Sequence, residues 1–466
     1  MMDLITAIFA IAAPGLLLTV CLLLATGRRV SLAETSGLSF LLGAGITSLE
    51  LFAFHALNVD LSRRDLMWLP MFAALLSAAA LYLGRAALFE QGKGAMPGRK
   101  FRNAVIAVFV LQLALAFLYT LPQPVYSHDA VANYALKAKM FYFSHGIPAG
   151  FFGLPESAVA HPDYPLMLPF LMTFVYEFTG FNDGMALQLI PVFYSAFALV
   201  FYSGLKKLFG GTYALIAAFV MISIPQVFNS AVVVHTDLIL TAYVTTAFVY
   251  FFSYAVKGDG FSLAVSPLLA GFALWVKNEA VVFAAAYFIM LAYHAFMKKR
   301  GSAGAAVKTF LLPLITVAVI AGPWFLHKAA SGGDNSDVSF SKVTYASVMA
   351  NVKDIPILLD VLQQQVFGPK KWNILWVAFF AVLVWKRKDV WKGGAAYAAL
   401  PLLLLFAAYF AGYMATTGAN LYFYAHTTLS RFMIHFTGLA VLLTAALVYN
   451  DVKGIFPGIF GDDNGR

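Results

Sequence analysis

The sequence predicts an all-α polytopic membrane protein of about 13 transmembrane helices, N-terminus outside and C-terminus inside, with amphipathic and re-entrant helices at its outer face. Three observations carry this. Of the 466 residues, 61% are hydrophobic and only 11% charged, a balance foreign to a soluble domain. Apolar stretches near the roughly 20 residues needed to cross a bilayer recur along almost the whole chain. Between them, basic residues collect on alternate connecting turns, as the positive-inside rule requires.

The first apolar run, Ile5 to Ala25, has no basic residue before it and is followed by Arg28 and Arg29. That is the reverse of a secretory signal, so it reads as a retained span that starts outside. Spans centred near Leu16, Gly45, Leu75 and Val110 form an N-terminal four-span segment, residues 1–120. Residues 121–185 form the first outer loop, with interfacial helices. Residues 186–326 hold core spans near Ser195, Val220, Thr245, Ala270, Met290 and Val317, with a second acidic loop. Residues 327–371 are a further outer loop containing SGGDNSD. Residues 372–466 hold spans near Phe380, Leu405 and Leu442 and a short inner tail ending in GDDNGR. With this topology the inner turns carry Arg28, Arg29, Arg85, Lys93, Lys206, Lys207, Lys257, Lys298, Lys299, Arg300, Lys386, Lys392 and Arg466, among others. Pro165 to Gly180 is apolar but short, broken by Pro169, and carries Glu177. Counting it as a crossing would put Lys206 and Lys207 outside, so it reads as a re-entrant or interfacial helix. The formal net charge of +9 is then an orientation signal and a lipid-phosphate contact, with no nucleic-acid partner. The single cysteine, Cys21, excludes an intrachain disulfide and a cysteine metal cluster.

The chain is organised around Leu121 to Pro169. This stretch holds His128, Asp129, Lys137, Lys139, His145, Glu156, His161 and Asp163, which cannot all lie in hydrocarbon. Asp129 to Phe143 reads as an amphipathic helix, with Val131, Tyr134, Ala135, Ala138 and Tyr142 on one side and Asn133, Lys137 and Lys139 elsewhere. Lying in the interface, it holds Asp129 near the lipid headgroups. A carboxylate there can take a proton from an attacking hydroxyl or amine, or bind a divalent cation; it can also simply cap the helix. The same alternatives apply to Asp237 in NSAVVVHTDLILTAYV, and two outer acids far apart in sequence can converge on one pocket.

Lys277 and Glu279 interrupt the apolar hairpin GFALWVKNEAVVF. They can pair, or Lys277 can snorkel to the interface; the sharper reading is that Lys277 meets a lipid-linked phosphate. Arg431, in TTGANLYFYAHTTLSR at the start of the last span, offers that phosphate a planar, bidentate donor set, or snorkels in turn. In HPDYPLMLP, His161 can bind phosphate or metal or be a surface histidine; no HxxxH or HExxH spacing is present. His128, Asp163, Tyr164, His235 and Glu279 are the further polar residues expected at the same outer pocket. With no G-x-S-x-G elbow and no Walker loop, the energy for a reaction arrives in the substrate.

Four segments, SHDAVANYALKAKMFY with HPDYPLMLPF, HTDLILTAYV, GFALWVKNEAVVF and HTTLSRFMIHF, resemble motifs of the multi-spanning C superfamily of glycosyltransferases. That group includes protein O-mannosyltransferases, lipid A aminoarabinose transferases and lipopolysaccharide galacturonosyltransferases. The resemblance implies transfer of a sugar from a polyprenyl-phosphate donor to a lipid, glycan or protein acceptor, with inversion at the anomeric carbon. It implies that Asp129 activates the acceptor, that Asp237 orients or binds a cation, and that Lys277 and Arg431, with His161, contact the donor phosphate. Asp129 and Asp237 are the candidate ligands of a divalent cation (Mg or Mn); no other cofactor is implied. His128-Asp129 stands where the commonest family pattern has two adjacent acids. The expected location is a bacterial inner membrane with the site facing the periplasm. Competing readings are an O-antigen ligase or polymerase acting on a whole lipid-linked glycan, and a transporter or flippase of a lipid-linked substrate. A transporter would carry mid-membrane charges and internal pseudo-symmetry, whereas the notable charges here lie at span ends, apart from Glu50.

Overall fold

The computed structural model describes residues 1–84, 99–155, 157–297, 303–331, 344–415 and 421–460. Glu156, Arg85, Lys93, Lys298, Lys299, Arg300, Arg466, most of SGGDNSD and the GDDNGR tail lie outside the described residues. All regular elements among them are helical. Those that build the molecule are α1 Met2–Thr26, α2 Leu32–Ala56, α3 Trp68–Gly84, α4 Arg99–Thr120, α5 Leu136–Phe143, α6 Met167–Thr179, α7 Leu189–Phe209, α8 Gly211–Ile222, α9 Thr236–Lys257, α10 Gly260–Ala273, α11 Ala280–Met297, α12 Ala303–Ser331, α13 Ile355–Val366, α14 Leu375–Trp385, α15 Ala396–Ala415 and α16 Leu421–Ile455.

Ten helices among the described residues are long and apolar enough to cross a membrane: α1 to α4, α7, α9, α11, α12, α15 and α16. The spans expected near Val220, Ala270 and Phe380 are α8, α10 and α14, of 12, 14 and 11 residues. Composition is apolar through these stretches, but the helices are not continuous. Ser223 and Ile224 break α8 before Pro225 begins a separate turn, because a residue ahead of proline is pushed out of the helical region. At 1.5 Å per residue each regular helix alone reaches about 20 Å, and turns extend the α10 segment from Asp259, 3.8 Å from Lys207, to Lys277, beside Asp237. The Pro165 to Gly180 segment forms α6, a buried 13-residue helix.

The centre of the bundle is α9, flanked by α7, α10 and α16 and tied to α2 by the Tyr243 hydroxyl, which donates to the Leu41 carbonyl at 2.6 Å. α3 and α4 lie at the periphery, with Phe72, Leu75, Leu111 and Leu118 exposed, as lipid-facing spans require. α1 and α2 cross at contact distance. A Cβ on Gly15 would fall 2.0 Å from the Ser39 carbonyl oxygen, and one on Gly43 would fall 2.0 Å from that of Ile11. Small residues permit the close backbone approach that drives helix association in lipid. Gly43→Ala is expected to force this pair apart and destabilise the protein by about 1–3 kcal/mol, read as a lower unfolding temperature in detergent.

Charge sits in two layers at opposite ends of α9. At its C-terminal end, the Lys207 ammonium lies 2.6 Å from Glu34 and 3.8 Å from Asp259, and Tyr250 donates to Glu34 at 2.7 Å. At its N-terminal end lies the cluster built from Asp237. The 20 residues between Asp237 and Lys257 span about 30 Å of helix, the thickness of the hydrocarbon core. This spacing, with the apolar wall between, is that of a protein embedded in a bilayer.

The expected amphipathic helix at 129–143 is present in two pieces, and its polarity differs from the expectation. Ala130–Ala135 is a π-helical turn and α5 follows it. The wider turn rotates the positions after it, so Asn133 and Lys137 are buried with Tyr134, Ala135 and Ala138, while Val131 is 50% exposed. Of the three polar positions only Lys139 points outward, with its ammonium 5.3 Å from the Phe181 ring. π-Turns of this kind cluster at functional sites. In the region expected as a long outer loop, α13 packs against α16.

Candidate active site

Both acids expected either to cap helices or to carry chemistry are free of capping. Asp129 precedes the π-turn without a side-chain cap bond; Ser127 Oγ takes the Ala130 N–H instead, at 3.3 Å. Asp237 lies in the first turn of α9, whose N-cap, His235, makes no side-chain cap bond.

Both carboxylates turn to Arg431. Its Nη1 donates to Asp129 Oδ2 at 2.7 Å and its Nε to Asp237 Oδ2 at 2.8 Å, so one guanidinium fork ties α16 to α9 and to the loop after α4. The other oxygen of Asp237 accepts from Lys277 Nζ at 3.0 Å, and Lys277 also meets Glu279 Oε1 at 3.0 Å. Pairing of Lys277 with Glu279 is therefore real, and it coexists with the longer-range pair. α9 and α10 form an antiparallel hairpin, which is why residue 277 returns beside residue 237. Asp237 and Lys277 are almost wholly buried, where an unpaired charge would be prohibitive.

Electrostatics follow from this packing. Burial opposes the Asp129 charge, but the Arg431 guanidinium prevails and holds the carboxyl below the ordinary carboxylate range. Burial likewise works against the Lys277 ammonium, yet Asp237 and Glu279 raise it well above the usual lysine range. His235 is pushed down, by burial first, with Arg431 and Lys277 adding to it and Asp237 and Asp129 opposing it. Its Nε2 lies 2.6 Å from Ser127 Oγ. His128 is exposed, its Nδ1 3.6 Å from Asp129 Oδ1.

The HPDYP segment is pinned from several sides. The Ala160 N–H donates to the Ala132 carbonyl at 3.2 Å and the Met167 N–H to that of Trp275 at 3.3 Å, while Lys137 Nζ donates to the carbonyl of His161. His161 has φ +48°, and its ring stacks on Tyr164 at 4.5 Å. Tyr164 lies within electrostatic reach of Lys277 and Glu279. Asp163 turns instead to Lys328, at 3.4 Å.

The structure thus joins Asp129, Asp237, Lys277, Glu279 and Arg431 in one ion cluster, with His235 and His128 at its rim and Tyr164 beside it. It directs Asp163 to α12 and the His161 ring onto Tyr164. Sequence reasoning missed His435, fully buried, with Nε2 3.5 Å from Asp237 Oδ1 and Nδ1 3.1 Å from the Tyr409 hydroxyl. A signal was available: His435 lies four residues after Arg431, on the same helical face, inside an apolar span where an ionisable residue is costly.

The residues around Asp129 and Asp237 do not fit a divalent cation. Three of their four carboxylate oxygens carry a guanidinium or an ammonium, and a metal between them would face the Arg431 charge at close range. The described residues contain no group of three histidine, cysteine or carboxylate side chains placed to hold a metal.

Long apolar helices around a buried carboxylate–cation cluster at one end of the bundle define an integral membrane protein with a polar site at its rim. Residues 163–326 match the family model described as dolichyl-phosphate-mannose-protein mannosyltransferase. The matched stretch holds Asp163, Tyr164, His235, Asp237, Lys277 and Glu279; Asp129 and Arg431 lie beyond its two ends. No curated protein matches the chain.

Proposed function

We propose that the protein transfers a sugar from a polyprenyl-phosphate donor to a lipid, glycan or protein acceptor, at the extracytoplasmic face of a bacterial inner membrane. One observation carries the reading: Arg431, which the resemblance assigns to the donor phosphate, bridges Asp129, the acid it assigns to the acceptor, and Asp237, its second acid. Among the described residues, the resting cluster sets three carboxylates, Asp129, Asp237 and Glu279, against two cations, Lys277 and Arg431. An anionic donor phosphate must therefore compete with a carboxylate for a cation. When it takes Arg431, Asp129 is released and its proton affinity rises, at the moment an acceptor hydroxyl needs a base. The acceptor oxygen then attacks the anomeric carbon from the face opposite the phosphate. The carbon–phosphate oxygen bond breaks with inversion, the proton passes to Asp129, and Lys277 and Arg431 neutralise the charge on the departing polyprenyl phosphate. No step needs a metal. Sidedness is supported by the basic residues at the far end of the bundle, including Lys207, Lys257 and Lys386.

The test is release of polyprenyl phosphate from a mixed pool of radiolabelled polyprenyl-phosphate sugars by the purified protein in lipid, with membrane extract as acceptor. Consumption of donor that persists in excess EDTA is the expected result. Lys277→Ala should raise the donor KM about 10- to 100-fold, as loss of one charged hydrogen bond would, and change the acceptor KM much less. Label that crosses leaflets unconsumed would instead assign the protein to lipid transport.

A further inference from the structure

The turn between α10 and α11 holds two polar atoms that no described residue satisfies. Glu279 uses Oε1 to hold Lys277, while its Oε2 is buried with no hydrogen-bond partner among the described residues; the side-chain nitrogen of the preceding Asn278 is buried and unmet in the same way. An unmet buried acceptor and an unmet buried donor on consecutive residues are each costly. A hydroxyl group satisfies both at once, because it donates one proton and accepts another. The surroundings suit a sugar: the Lys277 ammonium lies 5.5 Å from the Phe432 ring, and Tyr164 and Tyr409 are within electrostatic reach of Glu279.

We infer that Asn278 and Glu279 form the donor-sugar subsite, in which one ring hydroxyl donates to Glu279 Oε2 and accepts from the Asn278 amide. This rests on the lipid-phosphate donor proposed above. Lys277 fixes the geometry: the residue that meets the phosphate also orients Glu279, so the sugar next to that phosphate falls within reach of Oε2. The charge of the subsite sets the substrate class. An ionised carboxylate accepts hydroxyl protons and repels a second carboxylate, so the donor headgroup is a neutral or amino sugar and not a uronic acid.

The experiment compares wild type, Glu279→Gln and Asn278→Ala in lipid with four probes: a polyprenyl-phosphate mannose, its single-deoxy analogues, a polyprenyl-phosphate galacturonic acid, and bare polyprenyl phosphate as a competitor. For the mannosyl donor, each variant is expected to lower kcat/KM roughly 10- to 100-fold. Inhibition by bare polyprenyl phosphate stays unchanged. One deoxy donor should lose as much in wild type and nothing further in Glu279→Gln, the signature of a shared contact. Should Glu279→Gln weaken bare phosphate as strongly as the sugar donor, Glu279 merely positions Lys277 and the subsite is lost. Equal use of the uronic acid donor by wild type would overturn the assigned class. If wild type neither consumes any donor nor binds polyprenyl phosphate, the donor reading itself fails and takes the subsite with it. Asn278→Ala keeps the test open if Glu279→Gln does not fold, because it leaves every ion pair in place.

Discussion

Asp129→Asn is expected to lower sugar transfer by about 10²- to 10⁴-fold, the range a general base contributes, while the protein still inserts and folds. The side chain is 38% exposed and bonded on one oxygen to Arg431, and asparagine keeps an acceptor of the same shape there. Arg431 retains Asp237 in the variant, so no buried charge is stranded. The loss should fall on kcat with donor binding nearly intact, measured as initial rates at saturating polyprenyl-phosphate sugar. Transfer near the wild-type rate would remove Asp129 from the chemistry. A pH control separates base from brace. Because Arg431 holds the Asp129 carboxyl below its ordinary range, its contribution to stability is present at neutral pH and is lost only as the pH falls through the depressed value. Between pH 7 and 5 the wild-type unfolding temperature should therefore show no loss from this bridge.

Arg431→Ala is expected to be at least as damaging to activity, by about 10²- to 10³-fold in kcat for a lost donor to developing charge, and it also strikes the fold. Asp237 is 2% exposed at its side chain and would keep only Lys277 and the more distant His435. A loss of about 1–3 kcal/mol follows from an unmet buried acceptor, visible as a lower unfolding temperature. Arg431→Lys should restore much of the stability and little of the rate, because an ammonium is a point charge that cannot hold Asp129 and Asp237 in one planar fork. If lysine restores transfer in full, bridging is not the function of this residue. The double variant Arg431→Ala with Asp129→Asn should be markedly less than additive, since both changes break one contact.

Much of this site is legible in the amino-acid sequence. Asp129, Asp237, Lys277 and Arg431 stand out because charged residues at the ends of apolar spans need a reason to be there, and their common sidedness points them toward one pocket. How they pair is not legible. Lys277 lies two residues from Glu279 but takes Asp237 as well, because α9 and α10 fold back on each other. His435 is hidden for the opposite reason: its neighbours are apolar, and only the packing of α16 on α9 turns it toward Asp237. Lys137 misleads because a regular helix would place it outward, whereas the π-turn at Ala130–Ala135 rotates it inward. Near Val220, Ala270 and Phe380 apolar composition does not reveal where the regular helix ends and a turn takes over.

By itself the sequence determined the solvent this protein lives in. The free energy of placing a residue in lipid or water is a local property, additive along the chain, and it fixes the long helices and their charged ends. Only the tertiary structure decided which charges meet. Ion pairing depends on distances of a few ångströms between residues such as Asp129 and Arg431, about three hundred positions apart, and those distances are set by helix packing that no local pattern encodes.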